Sequence, residues 1–297
     1  FKCMSFITEA HVFKTFEDRV EQTKEFLSSL ILYSAANHSA ISKTIIEAEK
    51  YTKEQEIFPL QWTLDSSAVK MLDFKGYHTE AKVSSLTKKE IVQYNKAKPY
   101  EKKVPYFDTY KPKLSVRKPK YYLVPQAYEA VIERLKLNEV QMHALNRDSM
   151  IKVTSYYIED YETVDKPYEN HYLHSNIRIR TQTDTLQFYQ GDYVIDLDQN
   201  SARYLVEALE PQSPDGFFAW NFFDGILQQK EWFSAYSFEP KAKEILRQNS
   251  ELAKDFAEKQ QADSSFASSN FEQLYYIYKR SPYYEKTVNR YPIFRID

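Results

Sequence analysis

Apolar positions recur at helical spacing near the start of the chain. Phe16, Val20, Thr23, Leu27 and Leu30 stand four, three, four and three residues apart, which predicts one face of an amphipathic helix. After a break near Asn37, Ile41, Ile45 and Ala48 repeat the pattern in a second helix. Ahead of both, the short apolar run closing at Thr8-Glu9 predicts a strand. It hands over to the first helix beside His11.

Around Pro59 the character changes. "PLQWTLDSSAVKMLDFKGYH" mixes β-branched and aromatic residues with turn signals and predicts strands near 60–64 and 68–75. Pro99, Pro105, Pro112 and Pro119 then lie six, seven and seven residues apart. Proline at that density forbids helix, so 94–122 is expected to be an extended, surface-following segment. "PQAYEAVIERLKLN" predicts a helix with Tyr128, Val131, Ile132 and Leu135 on its apolar face and Pro125 near its first turn. Alternation around Ile151–Ser155 and Ile177–Arg180 predicts strands, with turns at Thr183-Asp184 and Gly191-Asp192. Helices are expected at 201–209, 240–248, 251–261 and 271–279, with Ser250 and Asn270 as caps. The fold class expected is α/β: a strand-plus-helices segment over 1–56, then a mixed β/α region over 57–297, with strands over 138–195 and mostly helix over 198–297.

Composition narrows the function classes. The 297 residues carry a formal charge of −2, so no global field draws nucleic acid or an acidic membrane. No apolar run reaches the roughly 20 residues that span a bilayer. Only 4 glycines are present, and no GxGxxG or GxxxxGK[ST] occurs, which argues against a phosphate-cradling loop. The single cysteine, Cys3, excludes an internal disulfide and reads as a small buried strand residue. The 25 tyrosines and 19 phenylalanines suit sheets with one wet face; tyrosine-lined surfaces also suit sugars and peptides.

Local motifs add little on their own. HExxH, GxSxG and HxxE are all missing. In "HYLH", His171 and His174 would point to opposite faces of a strand, which disfavours a shared metal. Asp196, Asp198, Asn200 and Glu207 match positions of a calcium-binding EF-hand loop. Ser201 replaces the required glycine, however, and Asn200 as a helix cap explains much of the pattern. The 96–120 stretch carries nine Lys/Arg against two acids. A solvated edge explains this better than a nucleic-acid groove. A glutamate at a strand end beside a helix, such as Glu9, can serve as a general base.

Read together, the segments resemble a family. "FITEAHVFKTFEDRVEQTKEFLSSLI" looks like the closing portion of the catalytic domain in large bacterial zinc carboxypeptidases of the M14 type. "YYLVPQAYEAVIERL", "HYLHSNIRIRT", "ARYLVEALEPQSPDGFFAWNFFDGILQQKEWFSAYSFE" and "SPYYEKTVNRYPIFR" resemble the C-terminal extension of the same large members. The resemblance implies that Glu9 is the catalytic general base and that 1–56 closes the catalytic domain. It implies zinc in the longer protein, held by ligands upstream of Phe1, and none in this chain alone. It also implies a peptide substrate and export to the periplasm or cell surface. The competing expectation is a noncatalytic binding or assembly module with an envelope protein partner.

Overall fold

The structure, a computed structural model, describes residues 4 to 297. It is a mixture of helices and sheets. Cys3 lies outside the described residues.

By Cα proximity the chain divides into two compact units, 57–117 and the remainder. The remainder opens on α1 (Phe16–Ala36) and α2 (His38–Glu54). Thr15 caps α1 by accepting a hydrogen bond from the Asp18 amide at 3.1 Å, with Glu17 and Asp18 in the first turn where the helix dipole favours acids. Asn37 ends α1, its side-chain amide donating to the Tyr33 carbonyl at 2.8 Å, and so produces the expected break. The opening strand is not formed: residues 4–10 carry no regular structure. An isolated strand leaves its N–H and C=O groups unpaired, and no neighbouring strand is supplied to this one among the described residues.

A six-stranded antiparallel sheet forms the centre of this unit. Its strands are β5 (Tyr121–Val124), β6 (His143–Ala144), β7 (Ser149–Thr163), β8 (His174–Phe188), β9 (Tyr193–Asp196) and β10 (Phe294–Ile296). Their spatial order is β6-β9-β5-β10-β7-β8. The chain end thus inserts between β5 and β7, pairing Phe294 with Leu123 and Arg295 with Thr154. Leu123, Val153, Phe188, Val194 and Phe294 make one buried cluster on it.

The turn expected at Thr183-Asp184 is absent. β8 runs straight through it, with Thr183 opposite Thr154 and Asp184 opposite Val153. Continuous pairing with a long neighbour outweighs a local polar signal. The turn at Gly191-Asp192 is present, with Gly191 at φ +99°.

Helix α3 (Glu129–Leu137) buries Val131, Ile132 and Leu135. Helix α4 (Ala202–Leu209) buries Ala202, Leu205, Val206, Ala208 and Leu209. Pro125 stands ahead of α3, in the turn that Tyr128 closes onto its carbonyl, rather than inside the first helical turn. Helices α5 (Ala235–Gln248), α6 (Ser250–Ala262), α7 (Ser264–Ser268) and α8 (Asn270–Tyr278) pack about Phe238, Ala242, Ile277 and Tyr278. The caps of α6 and α8 are Asn249 and Ser269, one residue before those expected; their side chains accept from the amides of Leu252 and Glu272.

The 57–117 unit contains two two-stranded antiparallel ladders. β1 (Ile57–Leu64) pairs with β4 (Tyr110–Arg117), and β2 (Lys70–Val83) pairs with β3 (Glu90–Tyr106). The proline-rich segment is therefore extended, but it is hydrogen-bonded strand rather than a surface crawl. A two-stranded ribbon points alternate N–H groups outward. Pro99 and Pro105, six apart on β3 and opposite Tyr77 and Met71, occupy equivalent ladder positions. Along β2–β3 every residue is exposed or half-buried. One face carries Leu72, Phe74, Tyr100 and Val104, with the Phe74 and Tyr100 ring centroids 6.2 Å apart and Lys102 lying over the Tyr100 ring. The opposite face carries the ion pairs Lys75–Glu101 (3.8 Å) and Lys103–Asp73 (3.4 Å).

Candidate functional site

Glu9 lies in the irregular segment that leads to the cap of α1, exposed to solvent. His11 nearby is also exposed. Its Nδ1 accepts from the Phe13 amide at 3.3 Å, and its ring lies 5.1 Å from the Phe13 ring. Phe6 reaches back to Phe26 on α1, with ring centroids 6.2 Å apart. Behind this segment, α1 buries none of its residues. Val20 and Leu27, on its predicted apolar face, are 48 % and 49 % exposed, and Phe16 is 68 % exposed. A helix whose apolar stripe stays wet gains little from burial, at ~25 cal/mol per Å² of apolar surface removed from water.

The two histidines of "HYLH" part company. His171 sits in the β7–β8 connection, stacked 5.9 Å from Phe222 and edge-on to Trp220. His174, the first residue of β8, is buried. Its Nδ1 lies 2.9 Å from Thr163 Oγ1, and its Nε2 lies 3.1 Å from Asp224 Oδ1 and 3.2 Å from Asn221 Nδ2. Asn221 Nδ2 also donates to the Tyr172 carbonyl at 2.7 Å, which fixes the amide orientation. A neutral ring cannot donate to the carboxylate and accept from the amide through one nitrogen. The charge-assisted bond to Asp224 is the stronger, so Nε2 carries hydrogen and Nδ1 accepts from Thr163. Tyr161 and Phe218 cover the ring at 4.7 and 5.1 Å. Nothing in the sequence linked these partners, because they come from two segments, the end of β7 and the 210–228 loop.

The calcium pattern is taken up by local structure. Asp196 Oδ1 accepts from the Asp198 amide at 2.8 Å, and Glu207 pairs with Arg203 at 2.5 Å within α4. Ser201, not Asn200, stands at the helix cap. Asp198, Asn200 and Tyr204 instead help line an open polar cavity of about 660 Å³. No group of three or more His, Cys, Asp or Glu side chains among the described residues could hold a metal ion.

A buried ionic network lies elsewhere in the same unit. Glu210 Oε1 accepts from Arg295 Nη1 at 2.9 Å and from Tyr122 Oη at 2.5 Å. Arg295 Nη1 also donates to Tyr156 Oη at 2.7 Å, and Nη2 faces Asp297 at 3.0 Å. Burial holds the Glu210 carboxyl above its usual range despite Arg295. The same burial pushes the Tyr122 and Tyr156 hydroxyls up. The network lies in the buried core of this unit and joins segments distant in sequence.

Two further cavities share Pro125, Arg290 and Phe294 in their walls, with volumes of about 320 and 370 Å³.

No known family, curated protein or solved structure matches this chain. Among the described residues no helix is long and apolar enough to cross a membrane.

Proposed function

We propose that this chain is the C-terminal part of an exported zinc carboxypeptidase-like protein, in which Glu9 is the general base. The observation that carries the reading is the opening segment itself. Glu9 is a solvent-exposed carboxylate a few residues ahead of a capped helix, and that helix leaves Phe16, Val20 and Leu27 of its apolar face exposed. Such a face is what a helix presents when it closes a larger α/β sheet.

The described residues do not fit a zinc centre. The reading therefore requires metal ligands from residues outside these 297, and no step is assigned to the metal here. What Glu9 itself would do is accept a proton from an attacking water and pass it to the leaving amine. The substrate would be a peptide, trimmed at its C-terminal residue, and the setting would be the periplasm or cell surface.

Intact mass and N-terminal sequencing of the native protein come first, followed by assay of its longest natural form. A form carrying His-x-x-Glu that trims C-terminal residues, and loses that activity with Glu9→Gln, supports the proposal. Full activity in Glu9→Gln sinks it.

A second reading, a noncatalytic binding or assembly module on the cell envelope, draws on the exposed aromatic face of the β2–β3 ribbon. It gains if the longest natural form neither binds zinc nor trims peptides.

A further inference from the structure

We propose that the paired cavities flanking Arg290 form a binding site for a small organic carboxylate with an apolar body. This site is independent of Glu9. Arg290 is half-buried and borders both cavities. Its guanidinium lies 5.6 Å from the centre of the Phe294 ring. Among the described residues it meets no carboxylate and makes no side-chain hydrogen bond, whereas Arg178, Arg247 and Arg295 each face an acid. A guanidinium partly withdrawn from water, with a planar fork of donors unused, matches the two oxygens of a carboxylate.

The surroundings sharpen the ligand class. Tyr128 lines one cavity, and its hydroxyl has no hydrogen-bond partner among the described residues. Burial raises the Tyr128 pKa, so the group is a protonated donor beside Arg290. Leu186, Phe188 and Phe294 give the other cavity apolar walls, suited to a hydrocarbon or aryl group. Two acids are also present, and both are engaged. Asp192 accepts from the amides of Gln126 and Tyr189, at 3.0 and 2.8 Å. Glu285 accepts from the Thr287 hydroxyl and the Lys230 amide, at 2.8 and 3.3 Å. These carboxylates balance Arg290 and Lys230. A dianion such as phosphate would be repelled, while one carboxylate held by the Arg290 fork is tolerated. The volumes suit a ligand of about ten heavy atoms, within the usual range for small-molecule sites.

Titration calorimetry on the full chain tests this with hydrocinnamate, its neutral carboxamide and inorganic phosphate. Hydrocinnamate should bind saturably, with the amide about tenfold weaker or worse. Arg290→Gln should weaken the acid about tenfold, and Arg290→Lys should restore part of that loss. Tyr128→Phe should weaken it severalfold. Equal affinity for acid and amide, tighter binding of phosphate, or no saturable binding of the acid would each overturn the proposal. So would unchanged affinity in Arg290→Gln. The comparison of acid with amide needs no variant, so it decides the matter even if Arg290→Gln misfolds.

Discussion

Glu210 and Arg295, 85 residues apart in the chain, meet at 2.9 Å with both side chains almost completely withdrawn from solvent. Arg295 lies on β10, the last strand, and Glu210 directly follows α4. The pair therefore fastens the chain end to the helix layer. Removing one partner leaves a buried charge without compensation. Glu210→Leu or Arg295→Met should each cost about 3–5 kcal/mol in urea unfolding. The double variant Glu210→Leu/Arg295→Met should cost clearly less than the sum of the single changes, since no orphan charge remains. Additive losses would mean that the pair is not coupled.

Around this pair stand Tyr122, Tyr156 and Tyr291, all buried, with hydroxyl pKa values raised mainly by burial. The folded state thus keeps three protons that the unfolded chain releases near pH 10. Their contribution is intact below pH 10 and is lost as pH rises beyond it. Each raised tyrosine should contribute a slope of about 1.4 kcal/mol per pH unit above that point. Phenolate absorbance followed against pH should show these groups ionising only with unfolding. A titration complete before any loss of circular dichroism would contradict this.

The reading of the sequence succeeded where structure is local. Helices α1 and α2 and the break at Asn37 follow from periodicity and from one capping side chain. It failed where distant segments decide. "TQTDT" reads as a turn until β7 is placed beside it. Glu210 carries no local signal of its own, yet it becomes the most buried acid in the ionic network, because Arg295 reaches it from 85 residues away. His174 stood out only as half of a histidine pair; Thr163, Asp224 and Asn221 reach it from the end of β7 and from the 210–228 loop. The Arg290 cavities carry no motif, being built from β8, the turn after β5 and the segment leading into β10.

The His174 site supports a prediction of its own. With Nε2 committed to Asp224, the neutral ring is the Nε2–H tautomer, which nitrogen NMR resolves directly. His174→Leu keeps the packing against Tyr161 and Phe218 but strands the Thr163 hydroxyl and removes the charge-assisted bond to Asp224. The expected loss is about 1–3 kcal/mol. Finding the Nδ1–H tautomer would instead assign Nε2 to the Asn221 amide.

Gly191 closes the turn before β9 with φ +99°, its amide donating to the Leu145 carbonyl at 2.9 Å. A methyl group added there would also lie 2.9 Å from Gln126 Oε1. That side chain can move; the backbone angle cannot change without losing the turn. Gly191→Ala should therefore cost about 1–2 kcal/mol, mostly through backbone strain. Gln126→Ala in the same background should recover only the smaller, steric part.

The wet face of α1 gives the prediction that bears most directly on function. Leu27 is about half exposed, whereas Leu205 on α4 is fully buried. Leu205→Ala deletes packed methyl groups and should cost about 2–5 kcal/mol. Leu27→Ala in this chain removes little buried surface and installs the best helix former, so its cost should stay under about 0.5 kcal/mol. In a longer natural form where α1 closes a carboxypeptidase-like sheet, the same Leu27 would be core, and its replacement should approach the Leu205→Ala cost. Urea unfolding of Leu27→Ala in both forms separates the two readings. A small loss in both would leave α1 without the sheet that the catalytic role of Glu9 requires, because a base carried on an unanchored segment could not be held against a substrate.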